Sequence, residues 1–473
     1  MKRIALILLA AVLLLPAVQW ETEQVTNERW ADSYEPVIAV APDGSVRILF
    51  NQWDNNEERL YLKVAYGSAG DWVIKDVAQV SEEASMFYSI DVDAEGNTSL
   101  AYSDWTSMEN SDIFYATDEG GVFSPTNLTN DVDIQMCPML RLDTQGTPHL
   151  IFIELLEGEG VVQIYYGWIS GTSLVDKEPV TDTFSLWDFY GYDLVLSGNE
   201  APFGRHVFYI GEGGYLWHAY TLPISATSPQ FWAQEAINDI PSEYPSARID
   251  ASGTIHIAYD ADETSIHYVT GDIGNWHDEI AVLADTETTW VFAPRIDLDP
   301  NGDPHLVWIK SVNDWYDLAY GNKLSGSWMS EDITDTPDED EYPGYDRYFA
   351  IDAAGYGHVV YDFPDTNYMW QIYHAKSTEP LTGSAIAEQP ASSNPLNLEI
   401  RGSSVHFSLQ VTSPLRLDLY DALGRRVTCI ASGTYAAGEH SIPINSTDLS
   451  AGVYFIRMEA GGYSACAKFV VTH

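Results

Sequence analysis

Seven acidic or acidic–aromatic segments recur along this 473-residue chain: Trp53-Asp54, Asp104-Trp105, Glu154, Glu212, Asp260 with Asp262, Asp314-Trp315, and Asp362 with Asp365, Tyr368 and Trp370. An aromatic face stacks on the C–H face of a sugar ring while carboxylates accept bonds from its hydroxyls, so these residue types suit carbohydrate. Two carboxylates across one glycosidic bond can also serve as general acid and base. The competing reading is a set of solvated acidic loops whose tryptophans pack locally. No nucleophile elbow, phosphate loop or Cys/His cluster accompanies them.

The spacing of these segments follows a longer echo. A turn glycine recurs at Gly44, Gly96, Gly146, Gly204, Gly253, Gly302 and Gly355, at intervals of 52, 50, 58, 49, 49 and 53 residues. Periods of this size mark a propeller or solenoid. One unit reads Ala293 to Trp308: an alternating strand to Asp299, a Pro300-Asn301-Gly302 turn, and a second strand from His305. Third and fourth strands follow at Tyr316–Tyr320 and Trp328–Ile333, which makes a four-stranded blade. The fourth strand carries an aromatic and, five residues on, an aliphatic: Trp72 and Val77, Phe123 and Leu128, Trp232 and Ile237. Unit seven lacks such a strand after Tyr373, and the missing copy stands at Trp20–Val25. The N-terminal strand is therefore expected to close the last blade and leave no free sheet edge. In a closed ring, the loops after each second strand share one face with those entering each first strand.

Composition sets the compartment. Lys2 and Arg3 precede an apolar run to Pro16, with Ala17 the only small residue near a weak cleavage site, so residues 1–19 are expected to be a secretory signal peptide. No other segment is long and apolar enough to span a bilayer. Three cysteines, Cys137, Cys429 and Cys466, are too few for a disulfide scaffold, although the last two could pair. Net charge is −48. Lys2 and Arg3 supply +2 and residues 394–473 balance, so the rest of the chain carries about −50. Such a field excludes nucleic acid and anionic membranes as partners.

The last eighty residues differ. Residues 380–393 are rich in Ser, Ala, Thr and Pro and read as a linker. Beyond them stand Asn394-Pro395, then Tyr420-Asp421 leading into Gly424-Arg425, then Gly452 with Tyr454, and finally Lys468. Taken in order, these motifs resemble the type A C-terminal sorting domain of type IX secretion substrates. The resemblance implies a small Ig-like sandwich over 394–473, a Gram-negative source, passage through the periplasm, and export by the type IX machinery with release or surface attachment. The terminal Val471-Thr472-His473 departs from the family's frequent final Lys.

The repeats also resemble BNR (Asp-box) sialidase-type propellers at Thr117-Asp118-Glu-Gly120-Gly-Val-Phe123, with eroded copies at Asp272–Trp276 and Ser325–Trp328. A sialidase implies three arginines clamping a substrate carboxylate. Arg141, Arg248 and Arg295 recur at the ends of first strands, but Arg141-Leu-Asp143 and Arg248-Ile-Asp250 read as framework pairs. Five histidines, His149, His206, His256, His305 and His358, open second strands; repetition in every blade spreads them radially and makes them structural rather than a metal set. Asp297–Asp303 imitates the start of a calcium loop, yet Trp308 stands where a bidentate Glu belongs, so a plain turn is expected and calcium only adventitiously.

The sequence thus specifies an all-β chain: a seven-bladed β-propeller over 20–379, with four-stranded blades and an N-terminal strand closing the last, followed by a small Ig-like β-sandwich. The first functional reading is a non-catalytic, secreted or cell-surface protein that binds carbohydrate on the acidic–aromatic face, without cofactor. The alternatives are a polysaccharide-cleaving glycosidase or lyase, and a structural adhesion protein.

Overall fold

The computed structural model describes residues 18–382 apart from 69, 82–86, 108, 120, 157–159, 198–203, 222–231, 285–288, 313–314 and 337–339, and residues 397–471 apart from 402–403, 410–412, 422–425, 445–448, 450–451 and 461–462. Residues 1–17, Gly120, Asp314, Asn394, Pro395, Gly424 and Arg425 therefore lie outside the described residues. The chain forms two compact units, dividing between Gly383 and Ser384.

The first unit is a seven-bladed propeller. Its blades begin with the strands Ala31–Val40, Tyr88–Val92, Ile134–Leu142, Tyr192–Ser197, Glu243–Ile249, Thr289–Leu298 and Phe349–Ile351, and each adjoins the next around the ring, the last adjoining the first. Every blade is an antiparallel meander of four strands; blade three adds a short fifth. The β-branched and aromatic second strands are buried throughout, as Ile48, Leu49 and Phe50 in blade one and Leu306, Val307 and Trp308 in blade six.

Closure takes the expected form. Trp20–Gln24 lies antiparallel to Trp370–Ser377, with Trp20 against Ser377 and Gln24 against Tyr373. Trp20 packs edge-on against Tyr320 of blade six at 5.5 Å between ring centroids, so the strand grips two blades. His374 Nδ1 meets Glu23 Oε1 at 3.1 Å across the seam.

A polar relay recurs in the five blades whose second strand opens with histidine. Asp250 Oδ1 accepts the N–H groups of Ser252 and Thr254 at 2.8 Å each, which holds the turn. Its second oxygen lies 3.5 Å from His256 Nε2. His256 Nδ1 then meets the Tyr268 hydroxyl at 2.6 Å. Asp143–His149–Tyr166 and Asp299–His305–Tyr320 repeat the arrangement. In blades four and seven a second histidine replaces the tyrosine, giving His206–His218 and His358–His374 pairs at 3.0 Å. The histidines are thus bonded within their own blades. Asp299, from the calcium-like stretch, accepts the amides of Asn301 and Asp303 in the same turn.

The second unit has a three-stranded sheet (Asn397–Arg401, Ser404–Leu409, Gly438–Pro443) and a four-stranded sheet (Arg426–Tyr435, Ser413–Asp421, Gly452–Ala460, Tyr463–Val471). Val405, Phe407, Leu417, Leu419, Ile456, Met458 and Phe469 form its core. Motif positions fall in neighbouring registers: Asp421 opposite Tyr454, and Phe455 opposite Lys468. Cys429 and Cys466 sit on the two edge strands of the larger sheet, with two strands between them.

Candidate functional site

The first strands carry a feature that the repeat analysis missed. In four blades a β-bulge sets a residue and the proline after it opposite one residue of the second strand: Glu35-Pro36, Cys137-Pro138, Tyr244-Pro245 and Ala293-Pro294. The residue before each proline has a positive φ, 58°, 57°, 48° and 51° respectively. Non-glycine residues rarely adopt this region, and proline discourages helical backbone before it, so tertiary bonds must hold the bulge. Those bonds come from neighbouring blades. The Tyr88 hydroxyl donates to the Glu35 carbonyl, Tyr192 to that of Cys137, and Tyr348 to that of Ala293 at 2.6 Å. From the other side, Asp362 Oδ2 accepts the Glu35 N–H at 2.6 Å and Asp260 Oδ2 the Ala293 N–H at 2.9 Å. The signal was legible: each proline precedes the turn glycine of its blade by eight residues.

These bulges surround the axis and shape two adjoining hollows on the face where first strands begin. The axial cavity, about 150 Å³, is walled by Phe87, Tyr88, Tyr192, Tyr244, Tyr345 and Cys137 among others. Its floor is a lattice of buried charge. Arg141 Nη2 meets Asp193 at 2.8 Å and Asp346 at 2.9 Å, while Arg248 Nε meets Asp297 at 3.0 Å. Arg295 donates to the carbonyls of Asp346 and Tyr345. Burial opposes ionising Asp346, yet the Arg141 charge and hydrogen bonds bring its pKa down to about 2. The framework reading of Arg141 and Arg248 needs one correction. Their partners are aspartates of other blades, because Asp143 and Asp250 are already committed to their turns and histidines.

The second hollow, about 270 Å³, lies between blades seven and one. Tyr34, Tyr342, Tyr345 and Trp370 wall it, and Glu35 and Asp362 supply carboxyls. Burial raises Glu35 to about 7, with the Asn51 amide at 3.4 Å pulling the other way. Burial likewise lifts Asp362, only 2 % exposed, well above the ordinary carboxyl range.

Of the residues singled out from sequence, Asp362 and Trp370 share this cleft. The others stand apart. Asp54 and Asp365 cap their own turns, accepting the amides of Asn56 and Glu57, and of Asn367 and Met369. Asp104 accepts the Ser81 N–H and hydroxyl. Asp260 is fully buried beneath the blade-six bulge and raised to about 7, chiefly by burial. Asp262 is exposed, Trp315 is 38 % exposed at the rim, and Trp53 and Trp105 are half-buried. Glu35 was not anticipated; its signal was the proline after it.

Among the described residues one acidic trio, Asp131, Asp133 and Glu154, has oxygens within 4.8 Å of one another. Lys177 Nζ already stands 2.6 Å from Glu154 and 3.7 Å from Asp131. A cation is thus built into that cluster.

Solved structures of similar shape share little sequence. AofleA from Arthrobotrys oligospora is 14% identical, covering 67% of this chain and 90% of its own, with a TM-score of 0.41. The six-bladed fungal lectin of Aleuria aurantia, described for its fucose recognition, is 11% identical, covering 77% and 99%, at 0.37. An endo-arabinase from Bacteroides thetaiotaomicron is 14% identical, covering 57% and 99%, at 0.31. Such values transfer neither ligand nor reaction. No curated protein matches the chain. Among the described residues no helix is long and apolar enough to cross a membrane. Residues 396–472, in contrast, match the family model of the secretion system C-terminal sorting domain, so this propeller is a type IX secretion substrate bound for the outer surface or the medium.

Proposed function

We propose that the exported propeller is a non-catalytic carbohydrate-binding protein whose site is the axial cavity and the adjoining cleft. One observation carries this reading. Among the described residues, every exposed aromatic ring of the propeller, Trp30, Trp187, Tyr190, Trp290, Trp315, Tyr342, Tyr345 and Tyr368, lies on the face where first strands begin. Exposed rings gathered on one face mark a binding surface rather than chance exposure. Rings and carboxyl acceptors together match a saccharide's two kinds of surface. Residues 1–19 would serve as the leader, residues 380–393 as the linker, and the reading needs no cofactor.

The BNR-like turn fits as scaffold: Asp118 accepts the Thr98 N–H and the Tyr66 hydroxyl, each at 2.7 Å. Arg141, Arg248 and Arg295 are bonded to protein groups, which disfavours a sialidase clamp. A glycan array probed with the intact protein tests the proposal. Binding to at least one saccharide, lost in Trp370→Ala, is expected; no binding to any saccharide overturns it.

A second reading rests on Glu35, whose carboxyl near neutrality suits a general acid. Against it, Asp362 has an equivalent in Asp260 that makes the same bond to the next blade, which is scaffold behaviour. New reducing ends from a bound glycan, absent in Glu35→Gln, would favour the enzyme.

A further inference from the structure

We propose that the cleft between blades seven and one binds an organic ammonium group, so that the saccharides held on this face are amine-bearing. The inference rests on the carbohydrate reading only for the saccharide, not for the cation.

The cleft combines two features that point to the same ligand. Four aromatic rings, those of Tyr34, Tyr342, Tyr345 and Trp370, line a space of about 270 Å³. Tyr342 and Trp370 stand 6.0 Å apart at 55°, forming a corner rather than a stack. Ring faces converging on a small volume attract a cation through their quadrupoles, most strongly when it is desolvated. The space is below the roughly 300–1,000 Å³ of a drug-sized site and suits a single head group.

The second feature is carboxyl groups without a counter-ion. Asp362 is 2 % exposed, lines the cleft, and receives one bond, from the Glu35 amide. Glu35 faces only the Asn51 side-chain amide at 3.4 Å. Among the described residues no lysine or arginine lines the cleft and neither carboxyl is in an ion pair. The axial floor shows the contrast, since its buried carboxylates each meet a guanidinium. Burying a carboxyl without a cation is costly, and a ligand that brings the cation removes the cost. Burial raises both groups, and the nearby Glu35 carboxyl raises Asp362 further. The region's charge of about −50 draws cations toward the face.

Calorimetric titration of the intact protein at neutral pH tests this with three probes: a glucosamine oligomer, its fully N-acetylated counterpart, and tetramethylammonium. The amine oligomer should bind at least about tenfold more tightly than the acetylated one, and tetramethylammonium should compete with it. Glu35→Gln and Trp370→Ala should each weaken amine binding about tenfold or more; the probe comparison on the unmodified protein stands even if a variant misfolds. Equal affinity for the two oligomers, or undiminished binding by Glu35→Gln, overturns the ammonium site and leaves the carbohydrate reading standing. Tetramethylammonium binding with neither oligomer bound supports the ammonium site and removes amine-bearing saccharides as its ligand. Silence from all three probes overturns the ammonium site.

Discussion

The amide of Glu35 in blade one donates to Oδ2 of Asp362 in blade seven over 2.6 Å. This bond joins the first blade to the last on the face where first strands begin, while Trp20–Gln24 joins them at the outer edge. The ring is therefore sealed twice.

The outer seal should dominate stability. Deleting residues 18–28 removes a five-residue ladder and the Trp20–Tyr320 contact, and exposes the edge of Trp370–Ser377. A marked fall in melting temperature is expected by calorimetry. Trp20→Ala alone should cost about 2 kcal/mol or more in urea unfolding. An unchanged midpoint would mean that the strand is dispensable.

Arg141 is 6 % exposed and pairs with both Asp193 and Asp346. Arg141→Met takes the paired guanidinium from buried Asp346 and leaves Asp193 with Arg248 alone, at 3.5 Å. A loss of about 3–5 kcal/mol is expected from chemical denaturation. Loss below 1 kcal/mol, on the order of an exposed pair, would place the lattice outside the stabilising core.

Asp260 makes stability depend on pH in a predictable direction. Its folded pKa of about 7 lies above the ordinary carboxyl value, so the folded chain holds the extra proton. The stability it contributes is complete below about pH 4 and is lost as pH rises through 7. Asp260→Asn keeps an acceptor for the Ala293 amide and removes the titration. Its unfolding free energy should exceed that of the parent by a few kcal/mol at pH 8, on the order of 1.4 kcal/mol per pKa unit, and the gap should close toward pH 4.

The His206–His218 pair acts in the opposite sense. Burial lowers both to about 3, with His218 also lowering His206. Their contribution is present above about pH 6.5 and lost as pH falls toward 3. A His206→Asn, His218→Asn double variant should show a flatter acid limb in a series of melting curves; an identical slope would assign that limb to other groups.

Rim and cleft should separate in binding. Asp104→Ala removes the Ser81 bracket and should leave glycan affinity within about twofold, whereas Trp370→Ala should reduce it about tenfold or more. Equal losses would return the rim to the site.

Much of this architecture was legible because its causes are local. A turn glycine, an aspartate five residues before the next strand and a histidine near the start of that strand form one unit, so Asp250, Gly253 and His256 repeat as a sequence pattern. Trp20 was legible because closure leaves one strand missing at one end and surplus at the other. The site was less so. Glu35 and Asp362 lie 327 residues apart, and Arg141 and Asp346 lie 205 apart, so neither pair leaves a local trace. The loop carboxylates suggested a ring of equivalent contributors, but Asp54 and Asp365 spend their oxygens on their own turns. The bulge residues set the wall instead, and they differ in type from blade to blade while keeping one backbone shape.

The guanidinium–carboxylate lattice under the axial hollow has a mechanical corollary. It ties side chains of several blades together beneath the hollow, Arg141 to Asp193 and Asp346 and Arg248 to Asp297. A saccharide bound as proposed would meet that bonded floor and lie across the mouth of the hollow with one residue or branch dipped inward.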